Sequence, residues 1–186
     1  EEGLRDALAN DALALHYQPV VRTDDNVVVA FEALMRWDHP ERGPISPTVF
    51  VPIAEESDLI NHIGAWALNR ACMDAMAWPK SVRVAVNVSA AQFAHSELID
   101  TVAHALRTSG LDPDRLELEL TESVFMGDFE TIDDIFRALK DLGVRLALDD
   151  FGTGYSSLSY LRSAPFDKIK VDRTFVEGCT QKDQNS

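Results

Sequence analysis

Cysteine is scarce. Cys72 and Cys179 are the two in 186 residues, far apart, with no Cys-x-x-Cys pair and no histidine at zinc-like spacing. This excludes a disulfide framework and a thiolate metal site, and it points to a reduced, cytoplasmic compartment. Basic charge is also short: 17 lysines and arginines face 31 acidic residues, a net charge of −14. A nucleic-acid polymer is therefore excluded as a partner, because neutralising phosphates needs a basic footprint. A small anionic ligand stays open wherever metal ions or a few local cations supply the positive charge. No apolar run is long enough to span a bilayer, and no signal-peptide pattern is present. No linker, repeat or low-complexity tract interrupts the chain. It starts at Glu1 without an initiator Met and reads as a piece of something longer, so membrane anchoring of the parent is left open.

Hydrophobic residues make up 46% and charged residues 26%, which suits one globular domain with a sizeable core. Short apolar runs rich in Val and Leu alternate with helical patterns. Strands are predicted over residues 14–21, 27–35, 82–88, 116–120, 144–148 and 168–171, with a hairpin-like turn at 23–26. Helices are predicted over 47–55, 58–77, 96–109, 129–142 and 156–161, with an amphipathic lead-in helix over 4–15. Leu98, Val102, Ala105 and Leu106 share one helical face, as do Ile132, Ile135, Phe136 and Leu139. Gly110 and Gly143 follow helical runs, where a left-handed residue is expected.

Strand–helix repeats build either an open doubly wound sheet or a closed barrel. The open sheet usually carries a glycine-rich phosphate loop after its first strand, and neither GxGxxG nor GxxxxGK[ST] occurs here. The barrel places polar residues at the carboxyl ends of several strands. Here Glu32, Asn87, Glu119 (with Glu122 just beyond), Asp149 with Asp150, and Lys170 close successive strands. Ala30, Ala85 and Ala147 stand two residues before Glu32, Asn87 and Asp149, so small and polar residues share a face. Taken singly, each acid is an ordinary strand end, Asp149-Asp150-Phe151-Gly152 is a turn before a helix capped by Ser156 or Ser157, and Lys170 is a surface lysine. Together they are carboxylates that converge, which is costly unless they are paired or bind a metal. Oxygen ligands without a thiolate or histidine cluster favour Mg²⁺ or Mn²⁺ over zinc. More than three of them suggest two ions, the arrangement that hydrolyses phosphodiesters. The histidines (16, 39, 62, 95 and 104) are scattered and read as structural or exposed, and Trp66 and Trp78 read as packing.

Phe31-Glu32-Ala33-Leu34-Met35-Arg36-Trp37 resembles the signature of EAL-domain cyclic di-GMP phosphodiesterases. His16-Tyr17-Gln18-Pro19, Asn87-Val88-Ser89, Glu119-Leu120-Thr121-Glu122, Asp149-Asp150-Phe151-Gly152-Thr153-Gly154-Tyr155-Ser156 and Lys168-Ile169-Lys170-Val171-Asp172 resemble its other motifs, in order. The resemblance implies a modified (β/α)₈ barrel with an antiparallel first strand, and hydrolysis of cyclic di-GMP to linear pGpG. It implies Glu32, Asn87, Glu119 and Asp149 as metal ligands, with Asp150 as a second carboxylate of a two-metal centre using Mg²⁺ or Mn²⁺. Lys170 is similar to the family lysine that positions or activates the attacking water. Arg36 would hold a phosphate oxygen, and Gln18 and Leu34 resemble substrate-contacting positions. Glu122 resembles the glutamate that steadies the loop from Phe151 to Ser157, whose Gly152 and Gly154 allow motion and which in the family also serves a homodimer. A GGDEF or sensor domain upstream is a further implication. The intact ligand positions favour the enzyme over a receptor that binds without cleaving.

A (β/α)₈ barrel takes about 250 residues. Six strands are expected within 1–186, with the last two strand–helix units, including a seventh-strand glutamate, beyond it. On its own the 1–186 piece is expected to be poorly soluble, partnered or inactive.

Overall fold

The computed structural model describes residues 1–152 and 164–172, apart from residues 11, 95, 96 and 127 and the side chain of residue 129. A helix α1 (Glu2–Ala9) leads into β1 (Leu13–Val21), β2 (Val28–His39) and a short β3 (Gly43–Ile45). Two helices follow, α2 (Pro47–Glu56) and α3 (Leu59–Ala75), then β4 (Arg83–Val88), α4 (Ala90–Phe93), α5 (Glu97–Ser109), β5 (Leu116–Thr121), α6 (Phe129–Asp141), β6 (Arg145–Phe151) and β7 (Lys168–Val171). The sheet runs β1-β2-β4-β5-β6-β7, with β3 on the side of β2. β1 is antiparallel to β2, and from β2 onward each main-path neighbour is parallel. Six main-path strands with crossover helices and a reversed first strand form part of a TIM-like barrel. Among the described residues no helix is long and apolar enough to cross a membrane.

Alternation sorts each strand into two faces. Val84, Val86, Leu116, Leu118, Leu120 and Leu146 point outward and pack on α3, α5 and α6. The helices answer with the predicted stripes, Leu98, Val102, Ala105 and Leu106 on α5 and Ile132, Ile135, Phe136 and Leu139 on α6. Gly110 and Gly143 take positive φ just after α5 and α6, as expected. A second, smaller core joins Leu4 and Ala7 of α1 to Trp37, Phe50 and Ile63. Trp66 packs beside it, and Trp78 meets the rings of Tyr17 and Phe31.

Two expectations are corrected, and one strand, β3, is added. The lead-in helix ends at Ala9 rather than reaching Leu15: Asn10 turns its side chain back to the Asp6 carbonyl, and Leu13 onward pairs with β2, with Leu13 opposite Trp37. β2 runs on to His39 because β1 and β3 pair with it on both sides. β3 itself carries Gly43-Pro44 and has no period-two pattern to announce it. The helix expected over 156–161 and most of the loop from Phe151 to Ser157 lie outside the described residues.

Arg115 locks β5 beneath the helices. Buried just before the strand, it donates from Nε and Nη2 to the Val82 carbonyl (3.0 and 2.9 Å) and from Nη2 to the Ala75 carbonyl at 2.8 Å. Arg115→Met keeps the bulk but strips these charged donors from buried carbonyls. Urea denaturation is expected to show a loss of about 3 kcal/mol. An unchanged midpoint would mean that the guanidinium contributes packing alone.

Candidate active site

The polar residues do not end their strands, since β2 runs on to His39 and β6 to Phe151. They lie toward the carboxyl ends of the parallel-paired stretches and meet at one point. Glu32 of β2, Glu119 of β5 and Asp149 of β6 place one carboxylate oxygen each within 4.8 Å of the others. Lys170 of β7 reaches into the middle. Its Nζ donates to Glu119 Oε2 at 2.7 Å, to Asp149 Oδ2 at 2.8 Å and to Glu32 Oε2 at 3.3 Å. Asn87 of β4 donates from Nδ2 to Glu32 Oε1 at 3.1 Å. These contacts follow from the register, which sets Glu32 beside Ala85, Asn87 beside Glu119, and Glu119 beside Ala147. Ala30, Ala85 and Ala147 are buried on this face, and their small side chains leave the space in which the longer acids converge.

Asp149 and Asp150 are neighbours in sequence, so on a regular strand they would face opposite ways. The β6–β7 pairing passes from Leu148 opposite Ile169 to Phe151 opposite Val171, one extra residue on β6. Bulges of this kind re-aim side chains beside active sites. Asp150 takes φ +53° and donates its N–H to Asp149 Oδ1 at 2.9 Å. Asp150 lies outside the cluster of three yet feels it. Partial burial and then the charges of Asp149 and Asp172 raise its carboxyl above the ordinary range, with a smaller push from Glu32.

Glu119 is 1% exposed. Burial, reinforced by the charges of Glu32 and Asp149, outweighs Lys170 and pushes its carboxyl up to about 7. Burial alone would lower Lys170, but its hydrogen bonds to Asp149 and Glu119 win and hold the ammonium above the ordinary lysine value. Lys170 is therefore a fixed cation among three carboxylates. Glu119 Oε1 is buried without a hydrogen-bond partner among the described residues. A converging set of carboxylates with one such unsatisfied oxygen fits a hard divalent cation, which takes oxygen ligands.

The remaining predicted residues lie on β1, on β2 and just after β5. Gln18 lies opposite Glu32 on β1 and is exposed. Leu34 and Arg36 line a cleft of about 340 Å³ together with Asn87, and Arg36 donates from Nη1 to the Met35 carbonyl at 2.9 Å. Glu122 Oε1 accepts from the Gly152 N–H at 3.0 Å, tying the chain after β5 to the end of β6. Ser89 and Gln92 form a reciprocal capping box directly after β4, which fixes the strand end that carries Asn87.

Two interior residues were not singled out from sequence. Glu117, 1% exposed, accepts from Lys168 Nζ at 2.7 Å, one step below Glu119 and Lys170. The signal was there, in the period-two spacing of Glu117 with Glu119 and of Lys168 with Lys170.

The sequence profile of the EAL domain matches residues 1–186. An uncharacterised signalling protein of Caulobacter vibrioides is 53% identical over 182 residues, covering 97% of this chain and 22% of that protein. The cyclic di-GMP phosphodiesterase NbdA of Pseudomonas aeruginosa is 45% identical over 180 residues, covering 95% of this chain and 23% of its own. The chain thus spans under a quarter of the length of these two relatives. Among solved structures, the MucR phosphodiesterase in complex with c-di-GMP superposes with a TM-score of 0.91 at 42% identity, over 98% of this chain and 76% of that one. With the profile matched from end to end and the barrel strands in the same arrangement, this chain belongs to the EAL-domain family.

Proposed function

We propose that the protein hydrolyses one phosphodiester bond of cyclic di-GMP, giving linear pGpG, in bacterial second-messenger signalling. The observation that carries this reading is the meeting of Glu32, Glu119 and Asp149 around Lys170, with Asn87 on Glu32. The names of NbdA and MucR support the substrate. Glu32, Asn87, Glu119 and Asp149 would hold divalent cations, Mg²⁺ or Mn²⁺, with Asp150 as a further carboxylate for a second ion. Such ions, when bound, supply an activated water and offset phosphate charge.

The chain's own groups divide the remaining work. Lys170 stays protonated, so it acts as a preorganised positive charge toward the attacking water and the phosphate rather than as a proton acceptor. The Asp150 carboxylate, beside Asp149, would take a proton from the water as its oxygen bonds to phosphorus, and the 3′ oxygen would leave with a proton from solvent. The fork of Arg36 suits two phosphate oxygens better than an ammonium would. Leu34 on the cleft wall and the exposed Gln18 opposite Glu32 would contact the ligand. Glu122, through Gly152, steadies the loop after β6, by which two copies would also pair. An upstream GGDEF or sensor domain would set the activity of this cytoplasmic module, and the bifunctional cyclase and phosphodiesterase MucR supports such a layout.

Incubating the full-length protein, of which residues 1–186 are expected to be a part, with cyclic di-GMP, with and without Mg²⁺ or Mn²⁺, tests the reading. pGpG is expected to appear with metal alone, and Glu32→Ala is expected to stop its formation. Cyclic di-GMP bound but uncut in the presence of either metal would instead make the protein a receptor.

A further inference from the structure

Two residues before each site residue, the barrel interior holds Ala30, Ala85, Glu117, Ala147 and Lys168. Three alanines leave room for a long acid and a long base, and these pair at 2.7 Å. A buried carboxylate needs that partner. Glu117 has a second cation near it, Arg145 Nε at 3.9 Å from Oε2, and Arg145 Nη2 lies 4.0 Å from Asp167 Oδ1.

Lys168 Nζ is also 3.9 Å from Glu119 Oε1, the buried oxygen without a hydrogen-bond partner among the described residues. A small turn of the lysine would close that gap. Glu119 already gives Oε2 to Lys170. A second lysine on Oε1 would engage both oxygens of the carboxylate with ammonium groups, and its charge would oppose a metal ion at that oxygen. What holds Lys168 back is its short bond to Glu117.

We propose that Glu117 is a positioning residue that keeps Lys168 off Glu119 Oε1 and so preserves that oxygen as a ligand for a divalent cation. The inference rests on the reading of Glu32, Glu119 and Asp149 as cation ligands. It acts through Lys168, so Glu117 itself touches neither cation nor substrate.

The test is direct titration of the protein with Mn²⁺, followed by electron paramagnetic resonance of the free ion, with no substrate present. Glu117→Gln keeps the shape but gives up the charge that restrains Lys168, and Mn²⁺ affinity is expected to fall about tenfold or more, the range for groups that orient metal ligands. Adding Lys168→Met to Glu117→Gln removes the intruding ammonium, and affinity is expected to return to the parent value. Lys168→Met alone is expected to bind Mn²⁺ at least as tightly as the parent, which keeps the test open should Glu117→Gln fold poorly. Equal affinity in Glu117→Gln, or a double variant as weak as the single, would overturn the role of Glu117 and leave the cation site standing. A parent protein that binds no Mn²⁺ would overturn the cation reading and this inference together.

Discussion

Glu119→Gln is expected to lower turnover of cyclic di-GMP by about 10³-fold or more and, in the absence of metal, to make the protein more stable at neutral pH. Both effects come from the same burial. Glu119 is 1% exposed, and its carboxyl is pushed from 4.5 to about 7, chiefly by burial and then by the charges of Glu32 and Asp149, against the pull of Lys170. Between those values the folded protein binds a proton that the unfolded chain has released. Metal-free stability therefore falls as pH rises from about 4.5 to about 7, by roughly 3 kcal/mol in all, and is flat in this group above that window. Glutamine copies the protonated form at every pH, so the variant loses that slope and recovers most of the 3 kcal/mol at pH 7. The same carboxylate is a proposed cation ligand, and losing one such charge at the reacting centre costs about 10³-fold. Urea midpoints across pH 4–8, with chelator and with Mn²⁺, check both halves. A metal-free Glu119→Gln protein with the parent's pH slope would show that Glu119 is ionised at little cost in the fold.

Lys170→Met is expected to do the reverse to stability. Lys170 makes three short contacts to Glu119, Asp149 and Glu32, and nothing else in the described structure places a cation among all three. Without it the carboxylates face one another uncompensated, at a cost of roughly 3 kcal/mol for a partly buried group that loses its partner. A divalent cation supplies the missing charge, so Mn²⁺ is expected to restore the midpoint almost fully. Turnover is expected to stay down by roughly 10³-fold even with saturating metal, because the fixed charge proposed to act on the water and phosphate is gone. Metal-saturated thermal melts and initial rates, measured on the same sample, separate the two roles. Restored stability with restored turnover would reduce Lys170 to a stand-in for the metal.

Much of this site could be read from the chain before any fold was known. Ala30 with Glu32, Ala85 with Asn87 and Ala147 with Asp149 show which face of each strand turns toward the cluster, because alternation is local. The stripe of Leu98, Val102, Ala105 and Leu106 shows which face of α5 is buried, for the same reason. Distances between strands are another matter. They depend on register, and register is a property of two strands at once. The pairing of Glu117 with Lys168 spans 51 residues, and the bonds of Arg115 to Val82 and Ala75 span 33 and 40, so no local pattern announces them. The bulge that turns Asp150 is likewise a mismatch of β6 with β7, invisible in either strand alone. β3 is three residues long and includes Gly43 and Pro44, which locally spell a turn; its pairing with β2 makes it a strand.

Separate strands bring Glu32, Glu119 and Asp149 together, where the proposed divalent cation would sit. Crystals of the protein soaked in Mn²⁺ and measured for anomalous scattering test that proposal most directly. A manganese peak bounded by oxygens of all three side chains is the expected result. Fully occupied manganese elsewhere, or a cluster that stays closed on Lys170 with no peak at millimolar Mn²⁺, would contradict it.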